Sequence, residues 1–373
     1  MLTYAFVVLL LIDVGVRLWL SSRQIRHVAA HQGAVPAEFS ARIGLASHQR
    51  AAQYTIARAK LGMVERAFDA AVLIALTLLG GLQTIDTWIG SLITEHELLR
   101  QLVLIGAVVA LLGAISLPFT LYRQFVLEAR FGFNRMTPKL FAADAAKGTV
   151  LGIVLGTPLI AAILWLMDTA GTHWWIWAWA LWAAFNIGVS LLYPLAIAPL
   201  FNTFKPLDNP DLAQRVGDLA RRCGFSLKGL FVMDGSRRSA HGNAYFTGFG
   251  KSRRIVFFDT LLNRLNADEV EAVLAHELGH FSHRHITKRI VLSFAIAFLF
   301  FWVLGYLATL PTFYEALGVT PRLSGSNDAM ALILFFLALP VFTFLLTPLT
   351  SWYSRRHEFR RTATRQRKAA PAS

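Results

Sequence analysis

One cysteine stands in the whole chain, Cys223. A single thiol cannot close an internal disulfide, and it cannot build a cysteine-based metal cluster within one chain. Charge is scarce too. Asp, Glu, Lys and Arg make up 16% of 373 residues, against about 25% in an ordinary soluble domain. Acids are the rarer sign, with 22 against 36 Lys and Arg, so the formal net charge is +14. The basic excess is spread among apolar segments and forms no aromatic or glycine-rich module, which argues against nucleic acid as a partner. No internal repeat or low-complexity linker divides the chain. The apolar run 2–20 has no basic n-region or small-residue cleavage site, and Asp13 and Arg17 interrupt it, so it reads as a retained helix.

Apolar residues are abundant, at 55% of the chain with a mean hydropathy of +0.50. Runs of about twenty apolar residues cross a bilayer as helices. Seven are expected, over 2–20, 68–89, 98–122, 149–167, 174–198, 290–310 and 329–349, with 68–89 the weakest. Lys and Arg crowd loops 21–67 and 123–148, whereas loops 90–97 and 168–173 have none and 311–328 has only Arg322. This alternation follows the positive-inside rule. It predicts an outside N-terminus, a cytoplasmic C-terminus and a cytoplasmic segment 199–289. Trp174, Trp175, Trp177, Trp179 and Trp182 read as an interfacial aromatic belt. Asp13, Arg17 and Asn186 fall inside spans, where polar groups face a protein interior or a wet cavity.

The cytoplasmic segment holds the chemistry. "LNADEVEAVLAHELGHFSHRH" predicts a helix capped by Asn266, with Glu269 completing a capping box. Val270, Leu274, Leu278 and Phe281 make an apolar stripe at helical spacing. His276 and His280 are four apart and share another face, roughly opposite it. Two imidazoles one turn apart bind zinc, and Glu277 beside them is placed to take a proton from the zinc's water, whose pKa falls to about 7. His283 and His285 lack the spacing. A catalytic zinc needs a third protein ligand, and the stretch after the last span offers His357 and Glu358. If the last two spans form a hairpin, that stretch returns to the membrane face of His280.

Before this helix, 230–235, 243–249 and 254–260 are rich in β-branched and aromatic residues, and they predict a small sheet. Asn243, Ala244 and Tyr245 are candidates for an edge that holds an extended substrate.

Several long motifs resemble the type I CAAX prenyl proteases and their bacterial relatives. They are "FGFNRMTPKLF" (131–141), "APLFNTFKPL" (198–207), "MDGSRRSAHGNAYFTGFG" (233–250), "RIVFFDTLL" (254–262), "HELGHF" (276–281) and "SRRHEF" (354–359). The resemblance implies an all-α membrane protein with a small cytoplasmic α+β part, seven helices lining an intramembrane chamber, and one zinc ion per chain. It implies His276, His280 and Glu358 as ligands, Glu277 as general base, and Asn243 and Ala244 on the substrate backbone. It also implies a polypeptide substrate, prenylated or membrane-bound, in contact with lipid. The expected location is a bacterial inner membrane. The expected division is 1–198 for five spans, 199–289 for the metalloprotease segment, 290–359 for the last two spans with the third ligand, and a basic tail over 360–373.

That tail departs from the family pattern. Where Glu-Ala-Asp is expected after Phe359, the chain has Arg360, Arg361 and Thr362. A one-base shift of reading frame would produce this change. A membrane-protein quality-control protease, or an impaired relative that binds zinc or peptide, are the alternative functions.

Overall fold

The computed structural model of the chain describes residues 1–222, 227–247, 253–282, 285–323, 325–352 and 355, with backbone alone over 253, 275–282 and 285–289. Its long helices are α1 (Leu2–His31), α2 (Leu45–Leu76), α3 (Gly81–Leu92), α4 (Glu97–Leu121), α5 (Pro138–Thr169), α6 (Trp174–Leu192), α7 (Pro210–Arg222), α8 (Ala267–Ser282), α9 (His285–Leu307) and α10 (Asp328–Thr343). Two of them continue through π-helical turns, Tyr122–Leu127 after α4 and Tyr193–Ile197 after α6. Among the described residues six helices are long and apolar enough to span a membrane, and there are seven if the bent pair α2–α3 is counted as one span. These correspond to the seven predicted runs, and the chain is a multi-pass membrane protein. The weakest predicted span, 68–89, is broken: its two halves meet at 52°. Gly80 makes the break in a left-handed conformation, φ +77, that glycine adopts without steric cost.

The chain forms two compact units. The first comprises Met1–Gly132, Ile160–Trp175 and Trp302–Leu345. Within it α10 packs against α1 and α4, and Met330 through Phe335 are all buried. A charged network ties α3 to the start of α4. Asp86, on α3, accepts from Arg100 Nη1 at 2.7 Å and from Arg322 Nε at 3.0 Å. Arg100 also donates to Glu97 and to the carbonyl of Ser326. Asp13 and Arg17 pair with each other one turn apart on α1, so neither charge stands alone in the span. With Arg66, Asp69 and Ser116 they line an otherwise apolar cavity of about 630 Å3 between α1, α2, α4 and α10.

The second unit comprises Phe133–Leu159, Ile176–Phe301 and Leu346–Ser373. Two residues of the expected aromatic belt also pack on a neighbouring helix. Trp179 Nε1 donates to the Phe294 carbonyl at 3.0 Å and its ring meets Phe298 edge-on, while Trp182 packs against Phe294 and Phe301. An indole N–H needs an acceptor, and α9 supplies one. Trp177 alone of the five is strongly exposed, at 60%. Asn186 satisfies itself on its own helix, donating to the Trp182 carbonyl.

The same unit carries the sheet. Its strands are β1 (Phe204–Pro206), β2 (Leu227–Met233), β3 (Ala244–Thr247) and β4 (Arg253–Phe258), in the order β1-β2-β4-β3. Pairing is antiparallel except between β2 and β4. The fold class expected from sequence is the one observed: helical spans with a small sheet.

Candidate active site

The helix expected to carry the metal is α8. Its start is fixed as the sequence predicts: Glu269 N–H donates to Asn266 Oδ1 and Asn266 N–H donates to Glu269 Oε2, both at 2.9 Å. These reciprocal bonds satisfy two backbone donors that a helix end leaves orphaned. Val270 and Leu274 are 1% and 0% exposed, in one core with Leu212 and Val216 of α7, Ile255 and Phe257 of β4, and Ala244 of β3. Core burial of this kind stabilises by roughly 1.5–3 kcal/mol per large side chain. It anchors the first half of α8 to the sheet.

The backbone of α8 is continuous through Ser282, so positions 276 and 280 fall one turn apart on a regular helix. An i, i+4 histidine pair is a donor set that suits zinc. The side chains of His276, Glu277, His280 and His285 lie outside the described residues, as do His283, His357, Glu358 and the tail 360–373. Among the described residues no group of three or more His, Cys, Asp or Glu is placed to hold a metal.

The strand edge expected from the sequence to take a peptide is described through Thr247. β3 is the outer strand of the sheet, paired only with β4 among the described residues. Phe258 N–H donates to the Asn243 carbonyl at 2.9 Å. Antiparallel pairs alternate, so Asn243, Tyr245 and Thr247 turn their main-chain groups to β4, while Ala244 and Phe246 turn theirs to the open edge. Ala244 N–H is held by the side chain of Asn243, Oδ1 at 2.9 Å. Of the three residues predicted for this edge, Ala244 therefore offers backbone, Asn243 a side-chain amide, and Tyr245 neither.

Tyr245 faces elsewhere. Successive side chains of a strand alternate between the sheet's faces. Ala244, Phe246, Ile255 and Phe257 pack toward α7 and α8, whereas Tyr245, Thr247, Arg254 and Val256 line a cavity of about 190 Å3 with Tyr193, Pro199 and Phe231. Burial there, with Tyr193 contributing, pushes the Tyr245 phenol up to about 12. It is a neutral packing group near pH 7.

Sequence reasoning missed the bracing of the segment before β3. Arg238 makes two bonds to Asp144, at 2.8 and 3.0 Å. Partners ninety-four positions apart leave no local pattern to read.

Comparison with known proteins adds identity of sequence to this geometry. Residues 24–203 match the family described as "CAAX prenyl protease N-terminal, five membrane helices", and residues 206–362 match "Peptidase family M48". The chain is 43% identical over 208 residues to the CAAX prenyl protease 1 homolog of Arabidopsis thaliana, covering 56% of this chain and 49% of that one. It thus spans about half the length of that plant relative. It is 31% identical over 353 residues to the CAAX prenyl protease 1 homolog of Caenorhabditis elegans, covering 86% and 78%. The crystal structure of S. mikatae Ste24p superposes with a TM-score of 0.87 at 28% identity, over 99% of this chain and 89% of that one. The named curated relatives are eukaryotic, which argues against the bacterial inner membrane expected from the sequence.

Proposed function

Since this chain belongs to the CAAX prenyl protease family, we propose that it is an integral-membrane zinc endopeptidase acting on membrane-associated or lipid-modified polypeptides of the CAAX type. The observation that carries this reading is a shared core. Val270 and Leu274 of α8 and Ala244 of β3 belong to one buried cluster, so the helix bearing the H-E-x-x-H positions and an open strand edge are built as one piece.

In this reading His276, His280 and Glu358 hold one zinc ion, which when bound supplies Lewis-acid activation of water and of the peptide carbonyl. Glu277 accepts a proton from the attacking water and returns it to the leaving amine. The Ala244 carbonyl, the main-chain groups of Phe246 and the Asn243 side-chain NH2 pair with an extended peptide as an added strand, while the Ala244 N–H stays on Asn243 Oδ1. The site faces the cytoplasm, with the N-terminus on the other side.

Two measurements test this. In the full chain, a single His276→Ala or His280→Ala change is expected to reduce bound zinc from about one equivalent to a small fraction of that, because a catalytic zinc is held by three protein ligands and the loss of one leaves two. Zinc retained by both variants would place the metal elsewhere. Peptide cleavage is then read with prenylated and unprenylated versions of the same substrate. Cleavage of neither, in a zinc-loaded protein, leaves a binding protein in place of a protease.

Topology is read separately. A reporter fused after Glu97 or Asp168 is expected to behave as external, and one after Asp208 as cytoplasmic. The motive is the alternation of Lys and Arg between loops. An external reporter at 208 overturns the orientation.

A further inference from the structure

We infer that Arg238 is a positioning residue for peptide binding, clamping the segment that leads into the edge strand β3. The inference rests on the reading of β3 as the peptide edge. It accounts for three stretches that stood out in the sequence but had no part in metal chemistry: 131–141, 198–207 and 233–250.

The second and third of those stretches meet at one guanidinium, which also reaches Asp144 just beyond the first. Arg238 Nε and Nη2 donate to the two carboxylate oxygens of Asp144, near the start of α5, at 2.8 and 3.0 Å. Nη1 donates to Asn202 Oδ1 at 3.0 Å, and Nη2 also donates to the Phe201 carbonyl at 2.5 Å. The two charged side chains are only 19% and 15% exposed. A planar fork matches a carboxylate in two places at once, which fixes direction as well as distance.

The backbone around Arg238 is stitched to the same neighbours. Arg135 N–H donates to the Arg238 carbonyl, Ala240 N–H donates to the Phe133 carbonyl at 2.9 Å, and Asn134 and Ser239 form an isolated antiparallel bridge. Further on, the Thr260 hydroxyl donates to the His241 carbonyl at 2.8 Å. Gly242 is pressed so close that an added Cβ would meet Leu261 Cα at 3.2 Å. The chain therefore enters Asn243 with little freedom. Asn243 is where the edge begins, and its amide holds Ala244 N–H. An edge strand has neighbours on one side only, so its placement depends on how it is entered. Arg238 supplies the charged part of that entry.

The test compares Arg238→Gln, Arg238→Lys and Asp144→Asn in the detergent-solubilised full chain. Hydrogen exchange of residues 239–247 is expected to quicken in all three, with α7 unchanged. Lys keeps the charge but lacks the fork, so it is expected to fall between Gln and parent. With a CAAX-type peptide, KM is expected to rise about tenfold while kcat changes by less than about threefold and bound zinc stays level, the signature of lost binding and not of lost chemistry. Unchanged exchange at 239–247 overturns the proposal whether or not the chain turns over peptide. A fall in kcat at constant KM overturns it too. Should the Arg238 variants fail to fold, Asp144→Asn decides, since it keeps the shape and removes the charge and one of the two acceptors. Absence of cleavage by the parent sinks the protease reading, and the exchange result still decides the clamp.

Discussion

Glu277→Gln is expected to lower peptide cleavage by about 10²–10⁴-fold, the usual contribution of a general base. Position 277 lies about 100° around the helix from position 276, because a regular α-helix turns by that angle per residue. It therefore belongs beside the histidine pair and not in line with it. Gln keeps nearly the same shape and still forms hydrogen bonds, but it cannot accept the proton. Bound zinc is thus expected to stay at the parental level. The comparison is made in a chain whose family C-terminus is restored after Phe359, from Glu-Ala-Asp onward in place of the tail that begins Arg360-Arg361-Thr362, so that a low parental rate does not hide the loss. Full cleavage by the Gln variant assigns the base elsewhere. Loss of zinc makes Glu277 part of the metal site.

The second large effect is on stability. Asp86→Ala is expected to destabilise the first unit by about 3–5 kcal/mol, the range for removing one partner of a buried ion pair. Asp86 and Arg100 are 6% and 3% exposed, and Asp86 takes bonds from both Arg100 and Arg322. Removing the carboxylate leaves two guanidinium groups facing one another with Glu97 as the remaining acid on Arg100. Uncompensated burial of charge, more than the lost attraction, dominates the cost. That reasoning has a corollary. Replacing Asp86 and Arg100 together by leucine should cost less than Asp86→Ala alone, since the buried Arg100 charge is then gone and only the more exposed Arg322 loses its acid. Midpoints of denaturation in mixed micelles measure both. A double variant less stable than the single one refutes the account.

What the sequence made legible follows from the range of each interaction. A span is a run of contiguous apolar residues, so all seven could be read directly. The start of α8 was legible because Asn266 and Glu269 cap it within four positions. β2, β3 and β4 were visible as aromatic and β-branched runs. β1 was not, because it has three residues and ends on a proline. The break between α2 and α3 was missed because apolar residues continue across it and the helix is interrupted only by the backbone turn from Thr77 to Gly80. Asp13 and Arg17 were noticed singly, yet their spacing of four already allowed the pair that forms. Asp86 with Arg322, and Asp144 with Arg238, join residues far apart in sequence. Such pairs are properties of the folded chain. For the proposed metal site, spacing named His276 and His280, while the edge strand needed the register of β3 on β4 to separate what Ala244 offers from what Tyr245 does.

The π-helical turns bear on which changes of chain length this protein tolerates. Glu128 N–H reaches back to the Arg123 carbonyl, and Ala198 N–H to the Tyr193 carbonyl, each five residues earlier. Such a turn holds one residue more than an α-helix would over the same path. Loss of one residue between 122 and 127, or between 193 and 197, lets the helix close into ordinary α geometry while the segments on either side keep their facing. Loss of one residue in the middle of α4 or α6 instead rotates everything beyond it by about 100°. The two turns are therefore places where a deletion is absorbed locally, at the expense of the bulge itself and, after α6, of the wall that Tyr193 and Pro194 give to the cavity beside Tyr245.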